Sequence, residues 1–226
     1  MRTRPCWKTD QNRLSYGDTF TIIVGPEKIS HAVHQQALVR SSGFFRAACN
    51  GNFKEAEEKT IRLPEMDKEA FKSYVQWAYT NEVAVKADDD PGDDAEQEAR
   101  WNSLARLYGA THILLDIALR NAIIDRLILL HGNRTPNVRM VNAIYKLTTA
   151  DCKLRALVTD RWAAVGRFDT EKGRLVKFED FNHEFLVDFM RATLDIGQTS
   201  IRPAWESRCH WHEHNEEVPV CEGPEV

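Results

Sequence analysis

The residues with the greatest capacity for chemistry lie near the end of the chain, in Cys209-His210-Trp211-His212-Glu213-His214 and, a little further on, Cys221. The pattern Cys209-x-x-His212-x-His214-x6-Cys221 offers two thiolates and two imidazoles, the donor types and number that structural zinc takes. The spacing is not that of a standard finger, and His212 and His214 point the same way only along an extended backbone. The expectation is a structural zinc on Cys209, His212, His214 and Cys221, pinning the C-terminus onto the helices that precede it. A polar tail without metal, or histidines that cap helices, is the alternative reading. A metal-dependent activity built on the same tail would need an open coordination position beside a pocket.

Elsewhere the spacings of catalysis are missing. The chain has no G-x-S-x-G elbow, no G-x-x-x-x-G-K-[ST] and no G-x-G-x-x-G. His183-Glu184 starts like a zinc-protease helix, but Val187 stands where the second histidine is required. Cys49 and Cys152 sit in apolar helical contexts, where small buried thiols are common. Nothing assembles a nucleophile, a base and an oxyanion site, so the expectation is a protein that is not an enzyme and has no catalytic residues.

Composition narrows the class further. The 226 residues are enough for a core without metals or disulfides. With 30 basic against 34 acidic residues the net charge is −4, which argues against direct nucleic-acid binding. Five scattered cysteines do not form a disulfide framework. The N-terminus MRTRPCWKTD is not followed by an apolar segment, and the most apolar stretch, 113–130, is broken by Asp116, Arg120, Asp125 and Arg126. No membrane or secretory segment is therefore expected, and the compartment expected is the cytoplasm, the nucleus or both.

These residues must be positioned by elements whose order is readable. Thr19–Val24 is rich in β-branched residues and reads as a strand, Gly25-Pro26 as a turn, and Lys28–Val33 as a return strand. Gln35–Asn50 reads as two short helices broken at Ser41-Ser42-Gly43, with a serine as N-cap of the second, and Gly51-Asn52 as its stop. Thr60–Leu63 is a strand ended by Pro64. Asp67 caps a helix whose apolar residues Phe71, Tyr74, Val75, Ala78 and Tyr79 recur at helical spacing. Ala87–Ala99 carries seven acidic residues and reads as a solvated loop running into a helix. Helices are expected over 98–112, 114–131, 137–149, 151–165 and 178–194, the last with Phe181, Phe185, Leu186 and Phe189 on one face. Strands and helices are segregated, so the class is α+β.

The run Gly17-Asp18-Thr19-Phe20-Thr21-Ile22-Ile23-Val24-Gly25, then His34 with Leu38, Ser41-Ser42-Gly43-Phe44-Phe45-Arg46, Phe53-Lys54-Glu55-Ala56, Ile61-Arg62-Leu63-Pro64 and Phe71 through Val75-Gln76-Trp77-Ala78-Tyr79-Thr80, resembles a BTB (POZ) domain. Trp77-Ala78-Tyr79-Thr80, Leu119-Arg120-Asn121, Leu154-Arg155 and the Phe185-Leu186 helix look most like filamentous-fungal members. The resemblance implies a small sheet with a cluster of helices over 17–131, preceded by a flexible arm (1–16) and followed by an all-helical region (132–200) and the Cys/His-rich tail (201–226). It implies core positions for Phe44 and Phe45, and a buried, hydrogen-bonded structural role for His34. It also implies a protein-interaction module. Some members are adaptors that dock on a cullin scaffold of ubiquitin ligases through a hydrophobic-x-Glu motif in the loop before the Ile61 strand, and Phe53-Lys54-Glu55 fits that motif. A transcriptional cofactor acting through BTB contacts is the alternative function. Long dimerising members carry an extra N-terminal helix and swapped strand, for which the first sixteen residues show no pattern; a homodimer stays open.

Overall fold

The computed structural model describes residues 17–50, 53–84, 94–131, 135–165, 177–199 and 208–221. The expected N-terminal arm, the Gly51-Asn52 stop, residues 87–93 of the acidic run, Gly132-Asn133 and Ile201-Arg202-Pro203 lie outside them. The chain forms two compact units. One comprises Met1–Ala84, Ala110–Ala122 and Glu213–Val226; the other comprises Val85–Gly109 and Ile123–His212.

The first unit is built on a three-stranded sheet of order β2-β1-β3. In β1 (Thr19–Val24) alternate residues turn inward, so Phe20, Ile22 and Val24 are buried. The turn at Gly25-Pro26 takes left-handed backbone at Gly25 (φ 69°) and Lys28 (φ 54°), and returns the chain as β2 (Ile29–His34), antiparallel to β1. β3 (Thr60–Leu63) lies parallel to β1, with Ile22 opposite Ile61 and Val24 opposite Leu63. A parallel partner requires a crossover, and α1 (Gln35–Val39), α2 (Gly43–Asn50) and α3 (Lys54–Glu58) supply it.

The serine break works as an N-cap: the backbone N–H of Phe45 donates to Ser42 Oγ at 3.1 Å. In α4 (Lys68–Thr80) Asp67 accepts from the N–H groups of Glu69 and Ala70. The buried face of α4 is Ala70, Phe71, Tyr74, Trp77 and Ala78; Val75 and Tyr79 are only half-buried, and Trp77 joins the core. Phe45 stacks on Tyr74 at 5.9 Å, and Phe71 lies 6.0 Å from Tyr74. Phe45 is fully buried as expected, but Phe44 is half-exposed, because successive residues point about 100° apart around the helix and it is Phe45 that stacks on Tyr74 of α4. His34 is half-buried and structural: its Nδ1 lies 2.7 Å from the Tyr79 hydroxyl, which also accepts the His34 backbone N–H.

A corner at Leu115-Asp116 separates α5 (Asp94–Leu114) from α6 (Ile117–His131), and Leu115 there has a left-handed backbone (φ 51°). Asp116 is fully buried. Its carboxylate accepts from Ser41 Oγ, from the Trp77 indole N–H at 3.2 Å and from the Leu119 N–H at 2.8 Å. One side chain thus caps α6 and ties it to α4 and to the α1–α2 break. Burial pushes the Asp116 carboxyl above its ordinary pKa against the pull of these donors.

The second unit is helical. Besides its share of α5 and α6, it contains α7 (Val138–Leu147), α8 (Lys153–Val165) and α9 (His183–Thr199). The expected helix over 178–194 opens instead as a 3-10 turn, Phe178–Asp180, and α9 starts afresh where Asn182 Oδ1 accepts the Glu184 N–H at 2.8 Å. Phe181, Phe185 and Phe189 are buried in sequence, with Trp162 set edge-on to Phe181 at 5.2 Å. Arg155 is buried and fully engaged: it donates to the Tyr145 and Thr148 carbonyls and to Glu184, with its guanidinium 4.3 Å over the Tyr145 ring. Gly109 in α5 faces the Leu147 carbonyl, which a Cβ would meet at 2.5 Å. The fold is therefore α+β, a small sheet with helices followed by a helical C-terminal region.

Candidate functional site

The segment before β3 is not the loop expected from the sequence. Phe53 is the N-cap of α3, with extended backbone (φ −96°, ψ 153°), and its carbonyl accepts the Ala56 N–H at 3.0 Å. All four turn-forming residues after it, Lys54, Glu55, Ala56 and Glu57, are strong helix formers, which explains the single turn and a half. Lys59 ends it in left-handed backbone and returns its N–H to the Glu55 carbonyl. The Lys59 carbonyl then accepts the Thr21 N–H at 2.8 Å, so the exit of α3 is locked to β1. Lys54 pairs with Glu58 along the helix at 3.2 Å.

The consequence is an outward-facing pair. Phe53 is 58% exposed, and Glu55 is exposed on the same short helix. A phenyl ring left in water on a rigid element has unspent apolar area, and a nearby carboxylate can accept a directed hydrogen bond; together these are the ingredients of an anchor and an orienting contact.

The tail has order of its own. Arg208–Trp211 forms a 3-10 turn, with the His212 N–H donating to the Cys209 carbonyl at 3.2 Å. Asn215 Oδ1 accepts the N–H groups of Glu217 and Val218, and the Asn215 N–H donates to the Val218 carbonyl at 2.9 Å, which reverses the chain. Within the first unit this reversal brings Cys221 back to His214, with one ligand atom of each within 4.8 Å of the other. His212 lies in the second unit. It is buried, with Nε2 3.2 Å from Asp125 Oδ1. Among the four residues singled out in the sequence, the structure thus brings His214 and Cys221 together in the first unit and directs His212 to a carboxylate in the second.

Residues 12–100 match the family model of the BTB/POZ domain. The chain carries a BTB/POZ domain. No curated protein matches the chain significantly. The matched span contains β1, β2, β3, α1 to α4 and the Phe53–Glu55 pair, so the outward-facing site is part of the BTB/POZ domain itself.

Sequence reasoning missed how the first unit holds the end of the chain. Asn121, nearly buried, donates from Nδ2 to the Glu213 carbonyl at 2.8 Å and accepts the Glu213 N–H at Oδ1, 2.9 Å. Arg120 pairs with Glu213 at 2.6 Å and Arg46 with Glu217 at 2.5 Å. A concave site of about 300 Å³ is left beside these pairs, lined among others by Ser41, Gly43, Arg46, Leu115, Arg120 and Glu217. Both guanidiniums there already face carboxylates. No local pattern in the sequence signals a contact between Asn121 and Glu213, because the two are joined only by tertiary packing. No helix among the described residues is long and apolar enough to cross a membrane.

Proposed function

We propose that this protein is a non-enzymatic interaction protein whose BTB/POZ domain docks on a partner through Phe53 and Glu55, and that the partner is a cullin scaffold for which the chain serves as a ubiquitin-ligase adaptor. The BTB/POZ domain supports a protein–protein interaction role in general. The finer reading is carried by one observation, the 58% exposure of Phe53 on a short helix locked to the sheet. An exposed aromatic on a fixed element costs little conformational entropy to bury, which is the property of a docking anchor. An adaptor of this kind works in the cytoplasm or the nucleus.

The test is a binding titration of the full chain against the N-terminal region of a cullin, with Phe53→Ala and Glu55→Ala. Truncating a central aromatic anchor costs on the order of 2 kcal/mol, so Phe53→Ala should weaken binding by roughly thirtyfold. Glu55→Ala should weaken it less. Both variants alter exposed side chains and should unfold like the parent. Binding that is absent in the parent rejects the cullin assignment, and binding equal in all three proteins rejects Phe53 and Glu55 as the docking residues.

A further inference from the structure

We propose that the groove between α2 and the start of α6 is a recognition site for acidic peptides with two carboxylates four residues apart, and that the chain's own segment 213–218 occupies it as an intramolecular ligand which such a peptide displaces. Groove and segment both belong to the first unit. The lining does not include Phe53 or Glu55, so the inference is independent of the partner taken by that pair. Three observations carry it.

First, the segment is held as a bound peptide is held. The Asn121 side-chain amide takes both main-chain groups of Glu213: Nδ2 donates to the carbonyl at 2.8 Å and Oδ1 accepts the N–H at 2.9 Å. This clamp reads backbone, so any peptide in the same conformation can use it. Side chains supply the selectivity. Arg120 pairs with Glu213 at 2.6 Å, and Arg46 pairs with Glu217, four residues on, at 2.5 Å. Charge-assisted contacts of this kind favour carboxylates at those two positions over neutral side chains.

Second, the domain itself orients both guanidiniums. Arg120 directs Nε to the hydroxyl of buried Thr111 at 3.1 Å and Nη2 to the Thr111 carbonyl at 3.3 Å, which leaves Nη1 facing the ligand. Arg46 directs Nη1 to the Val39 carbonyl at 3.3 Å and turns Nη2 to Glu217. Donors fixed by the domain's own oxygens keep their direction when one ligand replaces another, so little side-chain freedom is lost on binding.

Third, the segment is attached in a way that permits exchange. None of the residues 213–221 is buried. A concave site of about 300 Å³ lies between Gly43, Leu115 and Ile117 on the domain and Asn215 and Val218 on the segment, a looser fit than that of a core element. The attachment is polar, and Glu217 is exposed, so its ion pair is weakened by salt. With glutamates at 213, 216 and 217 the segment is itself an acidic peptide, and a ligand of the same charge pattern competes for the same arginines.

The experiment measures fluorescence anisotropy of a labelled synthetic peptide of residues 213–220 against the full chain at low ionic strength. In the double variant Glu213→Lys with Glu217→Lys, Arg120 and Arg46 repel the segment and the groove opens. This variant should bind the peptide saturably, and the parent, whose own segment competes, should bind it at least about tenfold more weakly. The peptide carrying Glu213→Gln and Glu217→Gln should bind the opened chain at least about tenfold more weakly than the original peptide. Circular dichroism checks that the double variant folds, and the unmutated chain supplies a second readout: excess isotope-labelled peptide should speed amide hydrogen exchange in segment 213–218. The proposal is overturned by a folded double variant that does not bind, by equal binding to parent and double variant, by binding indifferent to the glutamine substitutions, or by exchange in the parent that stays unchanged at the highest peptide concentration.

Discussion

Gly109→Ala separates helix propensity from tertiary packing, because the two make opposite predictions. Gly109 lies inside the long helix α5, where replacing glycine by alanine normally stabilises by about 1 kcal/mol. In the structure the added Cβ would stand 2.5 Å from the Leu147 carbonyl oxygen and 3.6 Å from its carbon. Real Cβ contacts do not fall below 3.0 Å, so α5 or the end of α7 must shift by at least half an ångström. The obstructing atom is backbone at the last residue of α7, so no rotamer change relieves the clash. Overpacking of this kind costs about 1–3 kcal/mol, and after the propensity gain of about 1 kcal/mol a net loss centred on about 1 kcal/mol is expected. In a urea titration of the full chain followed by circular dichroism and Trp fluorescence, the midpoint should fall by roughly 0.5 M, taking a slope of about 2 kcal/mol/M. Gly109 and Leu147 belong to the same unit, so the transition of that unit is the one to read if the two separate. A midpoint equal to or above the parent's would refute the close approach of α5 and α7.

Other perturbations test other joints. Asp116→Ala removes the α6 cap and leaves the buried Trp77 indole N–H without its acceptor, so a loss of about 2–3 kcal/mol is expected in the same titration. Because burial raises the Asp116 carboxyl, the folded chain holds its proton to higher pH than the unfolded chain does. The stability it lends is full below the unfolded value of about 3.9 and declines as pH rises through the raised one. The penalty of Asp116→Ala should therefore be larger near pH 4 than near pH 7, and the reverse order would contradict the assignment. Burial also pushes the Cys49 thiol up to about 11. Its alkylation in the native protein, followed by peptide mass analysis, should stay slow through neutral pH and accelerate only toward that value; labelling at the unfolded rate near pH 8 would show that the site is open.

Particular elements show why part of the molecule is legible in its sequence. β1 is readable because the alternation of Phe20, Ile22 and Val24 with more polar neighbours is a local consequence of the pleat. The Asp67 cap and the break at Ser42-Gly43 are readable for the same reason, since donor and acceptor lie within three residues of each other. The segment 53–58 misled because its neighbours, a strand and a glycine, suggest a loop, whereas its own helix formers close a turn. Phe44 misled because two successive aromatics look equally apolar, and only the position of Tyr74 in α4 decides which is covered. The donors of the tail were visible as residue types, but their grouping was not. Asp125 claims His212, and the turn at Asn215 returns Cys221 to His214.

The sequence by itself determined the α+β class, the BTB/POZ resemblance and the succession of its strands along the chain. These depend on periodicity, capping and composition, all of which act over a few residues. Tertiary structure alone decided that Phe53 faces water, that Asp116 joins three separate segments from a fully buried position, and that His212 meets Asp125. Each of these depends on groups far apart in the chain, and the energies involved, burial of a charge or approach of one backbone to another, exist only once those segments have packed.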